Sequence, residues 1–193
     1  EVAHGWVANL LGDRTAAMMG RLTLNPVKHI DLMGTIIVPI LCLTAGNFIF
    51  GWAKPVPVDW RNLKNPRRDT ALVALAGPIS NFVMVLLWAA LAKLGTVLFH
   101  LSFANAIFLI YMGYAGISIN ALLMILNLLP IPPLDGSRVV SSLLPFKLAR
   151  MYDAIEPYGF IILVGLILTK VLSSILQPPM ELVQSGVMTI FGL

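Results

Sequence analysis

Apolar residues in this chain run in long blocks rather than alternating with polar ones. Met33 to Trp52, Thr70 to Leu91, Ala104 to Leu129 and Tyr158 to Leu176 are each nearly free of charge. At about 20 residues apiece, such blocks are long enough for an α-helix to cross ~30 Å of hydrocarbon. Polar connections separate them. Asp13 to Asp31 holds Arg14, Arg21 and Lys28; Lys54 to Asp69 holds Lys54, Arg61, Lys64, Arg67 and Arg68; Pro130 to Pro157 holds Arg138, Lys147 and Arg150. A further helix is expected before Leu11-Gly12-Asp13, where a glycine and a polar residue end the apolar pattern. The chain opens inside that pattern without an initiator Met, so the first helix is expected to lack its N-terminal part. The pattern predicts an all-α polytopic membrane protein, a helical bundle forming one domain over residues 1–193.

The block from Met33 to Trp52 is long enough to span but carries Gly34, Pro39, Gly46, Asn47 and Gly51. Interruptions of this kind persist at membrane depth where backbone is buried in protein or lines a cavity. If the block crossed, the first two basic loops would lie on opposite sides. If it is re-entrant or broken, 11 of the 13 Lys and Arg residues share one face. The clustering of cations on the cytoplasmic side of membrane proteins favours the second arrangement.

Composition agrees, with 58% hydrophobic and 11% charged residues, whereas a soluble domain carries about 25% charged. A soluble enzyme, a nucleic-acid-binding module and a disordered tail are excluded. The net charge of +4 is read as a record of orientation in the bilayer, not as affinity for nucleic acid. Cys42, alone, forms no internal disulfide.

Two constellations could carry chemistry. Glu1-Val2-Ala3-His4 reads E-x-x-H, the last four positions of H-E-x-x-H, in which two His at i and i+4 bind zinc and Glu acts on a water. The alternative is a helix-start Glu beside a nearby His. Ionisable groups at membrane depth are costly and usually functional, which favours the first. Asn127-Leu128-Leu129-Pro130-Ile131-Pro132-Pro133-Leu134-Asp135-Gly136 follows at the end of an apolar span. Its prolines stop the helix and present Asp135 from a rigid, non-helical turn. Asp135 is there either a hard oxygen ligand or a cap for the next helix.

Taken together, these segments resemble the site-2 protease family of intramembrane zinc metalloproteases, whose signatures are an H-E-x-x-H helix and a later N-x-x-P-x-P-x-L-D-G segment. Gly77-Pro78-Ile79-Ser80-Asn81 and the stretch from Phe50 to Val58 extend the likeness toward the compact branch without an added soluble domain. The resemblance implies that Glu1 is the general base, that His4 and Asp135 are ligands of a Zn2+ cofactor, and that the residue before Glu1 is the remaining His. It implies that Asn127 holds substrate backbone or the oxyanion, with Asn81 as a second polar candidate. The implied substrate is a membrane-embedded protein or peptide, and the implied location a prokaryotic cell membrane with the site near the cytoplasmic face. Lys54-Pro55-Val56-Pro57-Val58 is an extended edge that could receive a substrate strand. His29 and His100 read as solvated residues, and Trp6, Trp52 and Trp60 as interfacial or packing aromatics. An inactive homologue that binds membrane proteins and a small transporter are the rival readings. The ligand set also bears on topology: a full crossing of Met33 to Trp52 would put His4 and Asp135 on opposite faces, far beyond the ~2 Å of a zinc bond.

Overall fold

Helices and turns account for the regular structure, and no strand occurs among the described residues. The structure, a computed structural model, describes residues 1–46 and 51–193; Asn47 and Phe50 lie outside the described residues. The backbone divides into two compact units, Glu1–Val73 and Ala74–Leu193.

In the first unit, α1 (Val2–Leu10) stops where Gly12 takes φ +120. A side chain on Gly12 would press against the Asn62 carbonyl, 3.0 Å from its Cβ. The next residue, Asp13, is fully buried and its carboxylate ties the end of α1 to the following chain. It accepts hydrogen bonds from Thr15 N–H (3.1 Å), Thr15 Oγ1 (2.5 Å), Asn62 Nδ2 (3.1 Å) and Asp59 N–H (2.8 Å). Burial alone would raise its pKa, but these donors, led by Thr15 and Asn62, hold the carboxyl below its ordinary value. After a single turn, α2 (Thr15–Met18), the chain reaches the interrupted apolar block.

The two ends of that block lie together. A six-residue π-helical turn, Leu32–Ile37, leads into the nine-residue α3 (Val38–Gly46); together they reach only about 22 Å at ~1.5 Å per residue. Trp52 N–H then donates to Gly34 O (3.0 Å), Thr35 Oγ1 to Trp52 O (2.9 Å) and Lys54 N–H to His29 O (2.9 Å). A segment whose two ends are hydrogen-bonded to each other does not cross a ~30 Å core. The segment between α1 and α4 thus begins and ends at one place, as the expected re-entrant or broken segment requires. Ala8, Leu63 and Val73 form this unit's buried core, with Val7, Leu11, Val58 and Trp60 around them.

Helix α4 (Pro66–His100) begins in the first unit and supplies the start of the second. It runs well past the expected Leu91, because nothing after that residue breaks a helix until Ser102 turns to φ 73. Pro78 lies inside it, and just beyond the proline Ser80 Oγ donates back to Gly77 O (2.7 Å). Helix α5 (Ile107–Leu128) packs on α4 through small residues: a side chain on Gly113 would meet Ala92, and one on Gly116 would enter the Trp88 ring. The connection after α5 carries α6 (Asp135–Leu143) and α7 (Phe146–Asp153).

The last apolar block is two helices, not one. Helix α8 (Gly159–Leu168) stops, Lys170 takes φ 60, and α9 (Val171–Phe191) begins. Leu172 and Leu176 pack with Met124 and Ile125, while Val187 packs with Ile117, Ala121, Val85 and Ala89. Helix α9 thus lies antiparallel along most of α5. Lys93 Nζ donates to Gly192 O (2.8 Å), so a cation closes the C-terminus of α9. Pro66–His100, Ala104–Leu128 and Phe146–Leu168 are long and apolar enough to cross a membrane, which makes this an all-α polytopic membrane protein.

Candidate metal centre

Glu1 and His4 sit one turn apart on α1, and each is fixed by a backbone group of the first unit. Glu1 is the N-cap residue of α1 but does not cap it with its side chain. Its Oε2 accepts from Val56 N–H at 2.8 Å. Pro55 and Pro57 have no N–H, so Val56 is the one donor available between them. Gly5 makes this approach feasible, since a Cβ there would meet Val56 Cγ1 at 2.6 Å and Leu22 Cδ2 at 2.7 Å.

His4 Nδ1 lies 2.7 Å from Val73 O. A carbonyl oxygen only accepts, so Nδ1 carries the proton and the lone pair of the neutral ring belongs to Nε2. Metal-binding imidazoles are commonly oriented by this kind of hydrogen bond on the opposite nitrogen. Nothing in the sequence marks Val73 as the orienting group, because the contact is made by its main chain.

The extended edge around Val56 is already in use. Trp52, Lys54 and Val56 direct their N–H groups to Gly34 O, His29 O and Glu1. Arg21 Nη2 donates to the carbonyls of Lys54 (3.1 Å) and Pro55 (3.3 Å). Prolines at 55 and 57 remove donors from the alternate positions, so the segment has little left with which to pair a strand. His29, expected to be solvated, instead donates from Nε2 to Thr23 O (2.8 Å), and its Nδ1 is buried.

The second unit contains Asp135, Asn127 and Asn81. Leu129 leaves the helical region at φ −61, ψ 138, and the chain turns through Ile131 N–H to Leu129 O (2.8 Å) and Leu134 N–H to Ile131 O (2.9 Å). Asp135 is the first residue of α6, with Leu134 in the N-cap position. It is therefore not the cap of that helix. The start of a helix is a favourable place for its negative charge. Gly136 sets its position: a Cβ there would overlap the Leu128 carbonyl and come within 2.6 Å of Leu129 O. Gly136 is consequently packed directly against the main chain of Leu128 and Leu129. Asn127 occupies the last turn of α5 and Asn81 lies on α4, both partly exposed. Arg138 pairs with Glu156 at 3.1 Å and Tyr152 Oη donates to Pro130 O at 2.7 Å, bracing the same connection.

Zinc takes imidazole nitrogen and carboxylate oxygen, and this chain offers one of each at His4 and Asp135. Among the described residues no three His, Cys, Asp or Glu side chains form a metal-holding group. The donor chemistry nevertheless fits, because His4 already has the tautomer and fixed ring that ligation by Nε2 requires.

The sequence model of peptidase family M50 matches residues 96–169, which include α5 and the Asn127–Gly136 segment. A Bacillus subtilis protein named "Putative zinc metalloprotease YwhC" is 38% identical over 100% of this chain and 85% of its own length. Two mycobacterial proteins named "Putative zinc metalloprotease Rip2" are also similar. The one from Mycolicibacterium smegmatis is 32% identical and the one from Mycobacterium tuberculosis (H37Rv) 29%, each over 90% of this chain and 63% of its own length. No solved structure matches. With a bacterial relative aligned from end to end and a membrane-spanning architecture, this chain belongs to peptidase family M50, the site-2 protease family of membrane zinc metalloproteases.

Proposed function

We propose that this protein hydrolyses peptide bonds of membrane-embedded substrates, with Glu1 as general base and with His4 and Asp135 as two of the protein ligands of a zinc ion. The observation that carries the reading is the His4–Val73 hydrogen bond, which leaves Nε2 as the ring's lone-pair donor. When bound, zinc supplies Lewis-acid polarisation of a carbonyl and of water.

The chain's own residues do the rest. Glu1 Oε2 is engaged by Val56 N–H, so Oε1 is the atom that takes a proton from attacking water and returns it to the leaving amine. Asp135 contributes a carboxylate held at the start of α6 by the close packing of Gly136. Asn127 and Asn81 carry amide donors suited to a substrate carbonyl or to charge developing on it. The clustering of Lys and Arg in three loops supports a site near the cytoplasmic face.

Glu1→Gln in the full-length protein tests the assignment of the base. It removes a proton acceptor but no ligand, so turnover of quenched-fluorescent casein in detergent should fall ~10²- to 10⁴-fold while zinc content holds. Near-normal turnover by the folded variant would remove Glu1 from the mechanism.

A further inference from the structure

Arg21 is a cation in an unusual setting. It is 9% exposed, its Nη2 donates to the carbonyls of Lys54 and Pro55, and its Nε has no hydrogen-bond partner among the described residues. Burying a guanidinium against carbonyls costs free energy that a carboxylate partner would offset more fully. The arrangement makes sense through what those carbonyls are attached to.

The Pro55 carbonyl and the Val56 N–H belong to a single peptide group. That group is planar and trans, since the only cis bond in the described backbone is Pro132–Pro133. Its oxygen accepts from Arg21 at 3.3 Å and its N–H donates to Glu1 Oε2 at 2.8 Å. One rigid plane is held at both ends. A donor on the oxygen fixes the rotation of the plane and polarises the N–H at the other end, strengthening the hydrogen bond to the carboxylate. The second bond, to Lys54 O, stops the segment from swinging about the first. Prolines on both sides of Val56 restrict the remaining freedom of the backbone.

We propose that Arg21 is a positioning residue for the reaction: through the Pro55–Val56 peptide it aims the Glu1 carboxylate. This rests on the proposed role of Glu1 as general base. The His4–Val73 bond is separate from this chain of contacts, so Arg21 should govern kcat and leave both KM and metal content alone.

The experiment compares the full-length wild type, Arg21→Met, Arg21→Lys and Glu1→Gln for kcat and KM on quenched-fluorescent casein, with zinc content measured on each. A fifth protein carries the α-hydroxy acid analogue of valine at Val56, which replaces that N–H by an ester oxygen, weakens the Pro55 carbonyl as an acceptor at the same time, and leaves every side chain in place. Arg21→Met should lose ~10- to 100-fold in kcat, the scale of a reacting group misplaced by about 1 Å, with KM and zinc unchanged. Arg21→Lys, which still donates to carbonyl oxygen, should recover part of that loss. The ester at Val56 should reproduce the loss with Arg21 intact, and it decides the matter if Arg21→Met does not fold. Wild-type kcat in the ester protein, or a fall in zinc content that parallels the fall in kcat for Arg21→Met, would overturn the proposal. If Glu1→Gln itself stays active, the assignment of the base fails; if Glu1→Gln is inactive while the ester protein is not, only the role of Arg21 fails.

Discussion

Replacing Gly136 with alanine should damage the site out of proportion to the single methyl group added. The new Cβ would overlap the Leu128 carbonyl and lie 2.6 Å from Leu129 O. Both are main-chain atoms at the end of a 22-residue helix, with no flexible side chain to swing aside. Relief requires α6 to retreat from α5 by about 1 Å, a form of overpacking that costs ~1–3 kcal/mol. Asp135 moves with α6 because it is the helix's first residue. A shift of that size is half the length of a zinc–carboxylate bond and is enough to cost ~10²-fold in rate. Gly165→Ala is the internal control, since nothing lies within 4 Å of the Cβ it would add. Casein hydrolysis, zinc content and thermal unfolding in detergent should be measured on both variants. Gly136→Ala should lose turnover and zinc occupancy together, whereas Gly165→Ala should match the wild type. Wild-type turnover and zinc in Gly136→Ala would show that the Leu128–Gly136 contact does not position a ligand.

Two other outcomes follow from the first unit. Asp13→Asn replaces an acceptor oxygen by an NH2 group facing buried donors, so it should destabilise the protein by ~1–3 kcal/mol near neutral pH. Because the folded-state pKa of Asp13 is depressed, its contribution is complete above the ordinary carboxylate value of ~3.9 and fades as pH falls through the folded value. Melting curves of wild type and variant should therefore converge in acid, and a gap that is the same at pH 7 and in strong acid would contradict the hydrogen-bond account. Single cysteines at Lys28 and Lys64, made in a Cys42→Ala background, should both be labelled by an impermeant reagent from one side of the membrane; labelling from opposite sides would refute the returning path of Leu32 to Trp52.

Residue pattern alone revealed the helical membrane architecture, because uninterrupted apolar blocks are the least ambiguous signal a chain carries. It also revealed the returning segment, through the Gly and Pro residues of Met33 to Trp52 and the side on which cations cluster. It did not reveal α9 as a helix packed along α5. Gln177, Glu181 and Gln184 dilute the apolar pattern beyond Leu176, and the helix is held by a one-sided set of contacts through Leu172, Leu176 and Val187. The break at Lys170 was hidden for a related reason, since a single charged residue in an apolar block does not announce a left-handed turn. Around Glu1 and His4 the reactive side chains were legible, but the groups that orient them were not. Val56 N–H and Val73 O are main-chain atoms, present in every residue, and only the prolines at 55 and 57 hint that one particular N–H is singled out. Arg21 read as one cation among many in a basic loop; its burial separates it from the exposed Arg14 and Lys28.

The central claim is that His4 and Asp135 hold zinc and Glu1 does not. Metal analysis of the purified full-length wild type, Glu1→Gln, His4→Ala and Asp135→Ala tests it most directly. The account predicts about one zinc per chain in the first two proteins and a clear loss in the last two, as expected when a ligand is removed from a site with three protein ligands. A wild type without zinc, or full zinc occupancy in both His4→Ala and Asp135→Ala, would contradict it.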